Sequence, residues 1–451
     1  EDPKSINDAL TSLIDKECIV YLKRSNGYLR IKESSGVDIP SEITAYIDRN
    51  RSVLKVTEIL NRSAFDSYLY PTGYNDRFEI TRYFDFTFID GKEFFSIQDF
   101  EARIAASDAD GIIYAVIPRN IDELKRLETV VRKAERLTER LVIILPSSFE
   151  DIEKIAFEYE AVKKQRERVP ETEPILADEY DIYIDDLTEV IGAFINNYAR
   201  PENGNASYYY KGKKQQIYRK AQLTGLLSRI CEEVFCRTPV INNESVNKNT
   251  LPSVTINSRT KILAGLLENE IKPNLGLTGT GQEVSIMRST LIQTGVLISP
   301  TDNPQINLVP KDVNLAFMLA QIQEFFSETS ATGTATFEKL YGRLTKPQYG
   351  IGLKRGIIPI YLATVLHLNK QNLVIKYNGK EERITPDLLN GINESPSEYA
   401  ILVENWSATK ATYITALEGV FRKDIKEREK IYNGFAYILY AMNRWYIALP
   451  K

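Results

Sequence analysis

Two Asn-Gly dipeptides, one near each end of the chain, constrain the fold most strongly. Asn26-Gly27 and Asn378-Gly379 each separate two apolar, strand-like runs. Such a dipeptide predicts a β-hairpin, because a type I′ turn needs positive φ at both central residues. Each hairpin is followed by a proline where a helix would begin, at Pro40 and at Pro386. Helices beside a hairpin are typical of winged-helix modules, a shape used on nucleic acid and for docking proteins.

Between the two hairpins, strand and helix patterns alternate. Apolar runs predict strands at residues 79–89, 111–117 and 141–145, and apolar side chains at helical spacing predict a helix over residues 121–140. This order is a βαβ unit, so we expect a right-handed crossover and parallel pairing. The turns after the second and third strands lack a glycine that could close around phosphate, and the chain has no Gly-x-x-x-x-Gly-Lys-Ser/Thr. The sequence therefore predicts no ATP hydrolysis by this chain alone.

These patterns predict a mixed α/β multidomain protein, in which a small parallel α/β layer is flanked by helical winged-helix-like modules. At 451 residues, the chain has room for about two to four domains. We predict four: residues 1–62 as a winged-helix-like hairpin module, 63–200 as a small α/β domain, 201–312 as a helical, winged-helix-like domain, and 313–451 as a second winged-helix-like domain with C-terminal helices.

Composition narrows the classes of function. The chain is 43% hydrophobic and 26% charged, the balance of an ordinary soluble protein. Its net charge of −4 means that any nucleic-acid contact must come from local basic patches. No apolar run reaches the roughly 18 residues that span a bilayer, and the N-terminus has no signal pattern. We expect a cytoplasmic protein with no membrane partner, and the missing initiator methionine indicates a piece of a longer chain.

The sequence gives little support for a metal site or for nucleophilic catalysis. The chain has three cysteines and one histidine, His367, which lies in an apolar helical pattern. This argues against a disulfide framework, a zinc site and a Ser-His-Asp triad. The carboxylates of residues 178–186 leave one enzyme alternative open, a nuclease with two metal ions about 4 Å apart. We predict no catalytic residue, metal or cofactor in this chain.

Basic side chains beside aromatic rings are candidates for nucleic-acid contact, since rings stack on bases while cations neutralise phosphates. Residues 205–220 carry this combination in a segment that we predict to be a loop running into a helix. In the first hairpin, period-two alternation also places basic side chains on one face. The alternative for both segments is a solvated surface. The candidates are Lys23, Arg24, Arg30, Lys32, Tyr209, Tyr210, Lys211, Lys213, Lys214 and Arg219.

Residues 344–363, Leu-Thr-Lys-Pro-Gln-Tyr-Gly-Ile-Gly-Leu-Lys-Arg-Gly-Ile-Ile-Pro-Ile-Tyr-Leu-Ala, resemble a stretch of the very large BrxC-type ATPases of bacteriophage exclusion (BREX) systems. Other segments agree in their order along the chain: 70–84, 239–244, 279–283 and 443–450. The resemblance implies a segment that follows the ATP-binding domain of a protein that uses ATP and magnesium and acts on DNA with partner subunits. The family's phosphate-binding lysine and magnesium carboxylate have no matching positions here. Lys354 and Arg355 replace an arginine-aspartate pair, which adds positive charge and makes both candidates for nucleic-acid contact.

Two functional classes follow from these observations. In the first, the chain is a non-catalytic DNA-binding region of a phage-defence ATPase. In the second, it is a protein-interaction scaffold that docks other subunits of a defence complex, or a second copy of itself, without touching nucleic acid. Glu381 and Glu382 in the second hairpin favour the scaffold, because carboxylates repel phosphate.

Overall fold

The computed structural model describes residues 3–16, 19–23, 28–31, 35–133, 137–369, 373–403, 408–426, 429 and 436–449. The chain divides into two compact units. The first unit comprises residues 1–70 and 83–227, and the second comprises residues 71–82 and 228–451. The predicted domain boundaries, after residues 62, 200 and 312, coincide with none of these divisions.

Helices and strands alternate along most of the described chain. The helices, in chain order, are α1 Pro3–Asp15, α2 Ile39–Asn50, α3 Val56–Asn61, α4 Thr72–Phe78, α5 Gly91–Ser96, α6 Phe100–Ala105, α7 Ile121–Arg132, α8 Glu153–Arg166, α9 Pro174–Ala199, α10 Lys220–Val234, α11 Ser253–Leu267, α12 Gln282–Met287, α13 Val313–Thr332, α14 Phe337–Thr345, α15 Ile358–Asn369, α16 Pro386–Glu394, α17 Ala408–Val420 and α18 Ala436–Ile447. Within the described residues, none of these helices is both long enough and apolar enough to cross a membrane.

The strands form several sheets. In chain order they are β1 Ile19–Lys23, β2 Tyr28–Ile31, β3 Tyr68–Leu69, β4 Phe84–Asp90, β5 Gly111–Ile117, β6 Leu141–Pro146, β7 Ala206–Tyr210, β8 Lys213–Gln215, β9 Leu297–Ile298, β10 Gln305–Ile306, β11 Thr334–Thr336, β12 Leu373–Tyr377, β13 Lys380–Glu382 and β14 Tyr399–Val403. The largest sheet lies in the first unit and has the order β3-β4-β5-β6-β7-β8.

The centre of the large sheet confirms the βαβ prediction. Strands β4, β5 and β6 pair in parallel, and helix α7 connects β5 to β6. Every residue of β5 and of β6 is buried, because helices cover both faces. Helices α5, α6 and α7 contribute to the core on one face, and α9 contacts the other through Tyr198 against Phe88. Two covered faces explain why both strands read as continuous apolar runs.

The flanks of this sheet correct the prediction of a small parallel layer. Strand β3 is antiparallel to β4, β7 is antiparallel to β6, and β8 is antiparallel to β7, so the sheet is mixed. Because β7 and β8 hydrogen-bond onto β6, the sheet extends past the predicted boundary at residue 200. The first predicted strand, 79–89, begins only at Phe84. Residues 71–82 belong to the second unit, and Glu79 has a left-handed φ of 49° that interrupts extended backbone.

Both Asn-Gly hairpins pair as predicted. Strand β1 is antiparallel to β2, although the turn between them lies outside the described residues. Strand β12 is antiparallel to β13, and Asn378 and Gly379 have the positive φ values of a type I′ turn, 47° and 81°. Pro40 and Pro386 lie in the first turns of α2 and α16, as predicted.

In the second unit, helices and a small sheet surround a large apolar core. The sheet has the order β11-β14-β12-β13. Helix α15 is buried along all of residues 358–366, which is typical of a helix at the centre of a core. The elements α13, β11, α14, α15, β12 and β13 follow one another in the helix-and-hairpin order that the winged-helix prediction used. Since β14 lies between β11 and β12, the winged-helix assignment stays a prediction.

Two stretches that carry the family resemblance, residues 70–84 and 344–363, meet inside the second unit. The buried Arg82 donates to the carbonyl of Gly352 at 2.7 Å and to Thr238 Oγ1 at 3.2 Å. Its guanidinium lies 3.7 Å from the centroid of the Phe235 ring. Thr238 in turn donates to the carbonyl of Ile351 at 2.6 Å. These contacts stabilise the core of the unit by pairing a buried cation with a carbonyl, a hydroxyl and a ring.

Candidate nucleic-acid interface

Residues 206–219 form a β-hairpin and a short connection to helix α10. Strand β7 pairs with β8, placing Tyr209 opposite Lys214, and Lys211-Gly212 forms the turn with φ values of 47° and 74°. The prediction of a loop here was wrong. Strand β7 has hydrogen-bonding partners on both sides, β6 and β8. This ladder forms even though Lys-Gly is a weaker type I′ signal than Asn-Gly.

The two tyrosines predicted to stack on bases lie in the core. Tyr209 is 1% exposed and Tyr210 is 9% exposed. The adjacent Tyr208 donates its hydroxyl to the carbonyl of Tyr198 at 2.9 Å. Burial raises the pKa of both Tyr208 and Tyr209. A base could reach these rings only if β7 left the sheet, so their burial disagrees with the predicted stacking role.

Exposed cations and an exposed ring lie at the outer side of the same hairpin. Lys213 and Lys214 are exposed on β8, the last strand of the sheet among the described residues. Arg219 is also exposed, and Tyr218 is 64% exposed. We call Lys213, Lys214, Tyr218 and Arg219 the basic edge. It keeps the predicted combination of cations and aromatic surface but uses a different tyrosine.

Local contacts fix the chain at Tyr218. The side chain of the preceding residue, Ile217, is buried. The backbone N–H groups of Tyr218 and Arg219 both donate to Gln222 Oε1, at 2.7 Å and 3.1 Å. This amide oxygen satisfies donors at the start of α10 that have no partner within the helix. Sequence analysis did not single out Tyr218, and the one available signal was its position between the apolar Ile217 and a helix start.

Ion pairing separates the cations of this region into two groups. Lys211 Nζ lies 3.0 Å from Glu139 Oε1, and Lys220 Nζ lies 2.9 Å from Asp66 Oδ2. Lys213, Lys214 and Arg219, in contrast, form no ion pair within the described part of the chain. Their charges are therefore available to a phosphate backbone without first breaking an internal pair.

One further cation extends the basic edge on one face of the sheet. Cross-strand partners point to the same face, so Lys214 shares a face with Tyr209. Arg132, exposed in the last turn of α7, lies with its guanidinium 5.8 Å from the centroid of the Tyr209 ring. Arg132 and Lys214 are thus neighbours of the same buried ring. Arg132 and Lys214 therefore come from two elements far apart in sequence, and Glu128 also lies near the Tyr209 hydroxyl.

The candidates in the first hairpin can be placed only in part. Lys23 lies in β1 and Arg30 in β2, opposite Tyr28 and Val20 respectively. Their side chains, together with Arg24 and Lys32, lie outside the described residues. These four candidates stay predictions.

The loop with Lys354 and Arg355 is folded into the second unit, contrary to its expected role as a positively charged surface. Lys354 is 4% exposed. Arg355 Nη2 donates to the carbonyl of Asn393 at 2.6 Å, and its guanidinium lies 5.7 Å from the centroid of the Tyr341 ring. The neighbouring Leu353 and Ile357 are buried and draw the loop into the core. Neither cation is placed to neutralise a strand of nucleic acid.

A crevice of about 310 Å³ lies at the carboxyl ends of β4, β5 and β6, where open α/β sheets usually bind ligands. Its acidic side chains accept hydrogen bonds from neighbouring residues. Asp90, the N-cap of α5, accepts the N–H of Glu93 at 2.7 Å, and Asp151 accepts the N–H of Glu153, the first residue of α8, at 3.0 Å. Glu150 accepts from Asn197 Nδ2 at 3.2 Å. These carboxylates therefore accept hydrogen bonds that hold the surrounding chain.

The carboxylates proposed for a nuclease lie along one helix. Residues 178–186 fall in the 26-residue helix α9, where Asp181 pairs with Arg166 Nε at 2.7 Å and Glu179 is buried. Among the residues that the structure describes, no group of three histidine, cysteine, aspartate or glutamate side chains could hold a metal ion. The two described cysteines, Cys231 and Cys236, form no disulfide within the described residues.

Comparison with known proteins identifies no relative of this chain. No family model, no curated protein and no solved structure matches it.

Proposed function

We propose that this chain is a non-catalytic region that binds single-stranded DNA within a larger phage-defence ATPase of the BREX type. The basic edge carries the proposal. It combines three cations that have no ion pair among the described residues with a tyrosine that is 64% exposed. A ring between cations suits a single strand, because an unpaired base can stack on the ring while the phosphates meet the cations. The link to a phage-defence ATPase is supported only by the sequence resemblance.

The loss of DNA affinity expected on removing these cations can be calculated from the salt dependence of binding. The net charge of −4 gives no general attraction to DNA, so binding depends on the few local contacts. Each phosphate neutralised on a single strand contributes a slope of about −0.7 in log affinity against log salt. Loss of two such contacts therefore weakens binding roughly 50-fold at about 50 mM salt.

The test is fluorescence anisotropy with a labelled single strand of about 20 nucleotides and with its duplex, at several salt concentrations. We expect wild-type protein to prefer the single strand and Lys213→Glu/Lys214→Glu to lose roughly 50-fold in affinity at about 50 mM salt. The matched control, Lys311→Glu/Lys380→Glu, makes the same change in net charge at two exposed lysines of the second unit and should bind as wild type. Undetectable binding by wild type, or equal losses in both variants, would contradict the proposal.

A second candidate function, protein docking, is favoured by a different observation. Helices α17 and α18 carry large exposed apolar side chains, among them Val420, Tyr446 and Ile447, the last being 80% exposed. Apolar surface of this kind is typical of protein interaction sites. The same titration separates the two functions, because a docking scaffold gives no anisotropy change with either DNA.

A further inference from the structure

A cavity of about 510 Å³ lies in the first unit, next to the end of the basic edge. Lys220, which lines the cavity, is the next residue after Arg219. The cavity wall includes residues from the loop before β3, from strand β4, from helix α9 and from the turn before β7. Its volume is in the range of small-ligand pockets. A strand bound along the basic edge as far as Arg219 would therefore reach a residue of the cavity wall.

The inner wall of the cavity is aromatic and apolar. Phe65 is half-buried, and its ring is held by edge-to-face contacts with Phe86 and Phe88, at centroid distances of 5.7 Å and 5.6 Å. Phe65 and Phe86 both line the cavity, together with Leu69 and Ile195. A rigid aromatic ring in an apolar wall favours a planar, aromatic ligand group.

The rim of the cavity carries both hydrogen-bond acceptors and cations. Asp66 Oδ2 accepts from Lys220 Nζ at 2.9 Å, and Glu202 Oε1 accepts the backbone N–H of Lys220 at 2.7 Å. The hydrogen bond from Lys220 lowers the pKa of Asp66, and backbone N–H groups lower that of Glu202, so both are ionised acceptors at neutral pH. The exposed Arg200 has no hydrogen bond or ion pair from its guanidinium within the described residues.

We propose that this cavity holds one nucleotide of the strand bound at the basic edge. The base lies against Phe65, its amino or ring N–H groups donate to Asp66 and Glu202, and its phosphate meets Arg200, while Lys220 keeps its ion pair with Asp66. The proposal rests on the proposed function, because the basic edge delivers the strand. In the cavity, hydrogen bonds to the base would distinguish one base from another. The basic edge, in contrast, contacts the phosphates and stacks one base on Tyr218.

Gly192 allows the cavity to be filled without disturbing its walls. This glycine lies inside α9 and lines the cavity, and a Cβ atom placed on it would meet no atom within 4 Å. Gly192→Leu therefore puts a branched side chain into the space, whereas Gly192→Ala adds one methyl group and leaves most of the volume free. Both variants replace a helical glycine by a better helix former, so both should fold at least as well as wild type.

The experiment measures binding of a single strand that contains one 2-aminopurine, by anisotropy and by the fluorescence of that base. We expect Gly192→Leu to bind about tenfold more weakly than Gly192→Ala and to lose the change in base fluorescence, in line with the loss of one stacked base. Gly192→Ala should remain close to wild type. Arg200→Gln, at the exposed rim, should weaken binding several-fold without changing the melting temperature, which keeps the test valid if Gly192→Leu folds poorly.

Three outcomes overturn parts of this picture in distinguishable ways. If wild type binds the strand and both Gly192→Leu and Arg200→Gln leave affinity and fluorescence unchanged, the cavity proposal fails and the basic edge stands. If wild type binds no strand, both proposals fail. If 2-aminopurine riboside 5′-monophosphate binds with the predicted sensitivity to Gly192→Leu while the strand does not, the cavity is a mononucleotide site and the strand-based proposal is overturned.

Discussion

The β7–β8 hairpin of the first unit and the β12–β13 hairpin of the second share one turn geometry and carry opposite charges. Both turns have positive φ at two central residues, Lys211-Gly212 and Asn378-Gly379. Both outer strands begin with a lysine opposite a tyrosine, Lys213 opposite Tyr210 and Lys380 opposite Tyr377. The next position differs. In the first unit it is Lys214, and in the second it is Glu381.

The difference shows that backbone geometry and partner choice are set by separate residues. The turn needs only a glycine and a residue that tolerates left-handed φ. The exposed side chains of the outer strand, two lysines in one hairpin and Glu381-Glu382 in the other, decide whether a polyanion is attracted or repelled. A hairpin is therefore no indication of nucleic-acid binding until the charges on its outer strand are known.

The largest effect expected from this comparison concerns the inner strands. Tyr209→Ala should lower the free energy of unfolding of the first unit by about 3–5 kcal/mol, because a fully buried aromatic ring is removed. Tyr377→Ala, at a side chain that is 37% exposed, should cost the second unit about 1 kcal/mol or less. Hydrogen exchange of the amides in β6–β8 and in β12–β14 measures the two units separately. Full protection in Tyr209→Ala, with weaker DNA binding, would restore the stacking role predicted from the sequence.

A medium effect is expected at the two turn glycines. Gly212→Ala and Gly379→Ala should each destabilise its hairpin by about 1 kcal/mol, since φ values of 74° and 81° are costly for a residue with a Cβ atom. The two losses should be similar, because the two glycines have nearly the same left-handed φ. Protection of the amides in β8 and β13 gives the readout. A loss in one hairpin alone would show that the two turns are not equivalent.

The smallest effect should come from exchanging the residues before those glycines. Asn378→Lys should destabilise its hairpin by about 0.5 kcal/mol, and Lys211→Asn should stabilise the other by a similar amount, because asparagine tolerates left-handed φ better than lysine. Lys211 also pairs with Glu139, a partly exposed contact worth at most about 1 kcal/mol. The exchange at Lys211 is therefore measured in a Glu139→Gln background, in which that pair is already absent. Changes of the same sign in both hairpins would contradict the prediction.

The sequence predicted those elements whose own residues show a strand, helix or turn pattern. Strand β5 and helix α7 were found because an apolar run and a helical spacing are visible within the segments themselves. Strand β12 and its turn were found because Asn-Gly has a strong intrinsic preference for type I′ geometry. Strand β7 was missed, since its three consecutive tyrosines show no alternation and its turn begins with lysine.

For the candidate site, the sequence predicted the exposed basic residues but not the exposed aromatic residue. Lys213, Lys214 and Arg219 are exposed as a binding role requires, while Tyr209, Tyr210 and Lys354 are buried. Burial of these three depends on partners far away in sequence. Strand β6 pairs along Tyr209 and Tyr210, and the apolar neighbours of Lys354 join the core of the second unit. Tyr218 became a candidate only through its exposure.

The amino-acid sequence by itself determined the strand-helix-strand order at the centre of the large sheet, the type I′ turn at Asn378-Gly379 and the starts of α2 and α16, because each shows as a pattern within a short segment of the chain. The tertiary structure alone decided which aromatic rings face solvent, which cations keep an unpaired charge beside the cavity, and where the mixed sheet ends. Those properties are set by contacts between residues distant in sequence, and no local pattern encodes them.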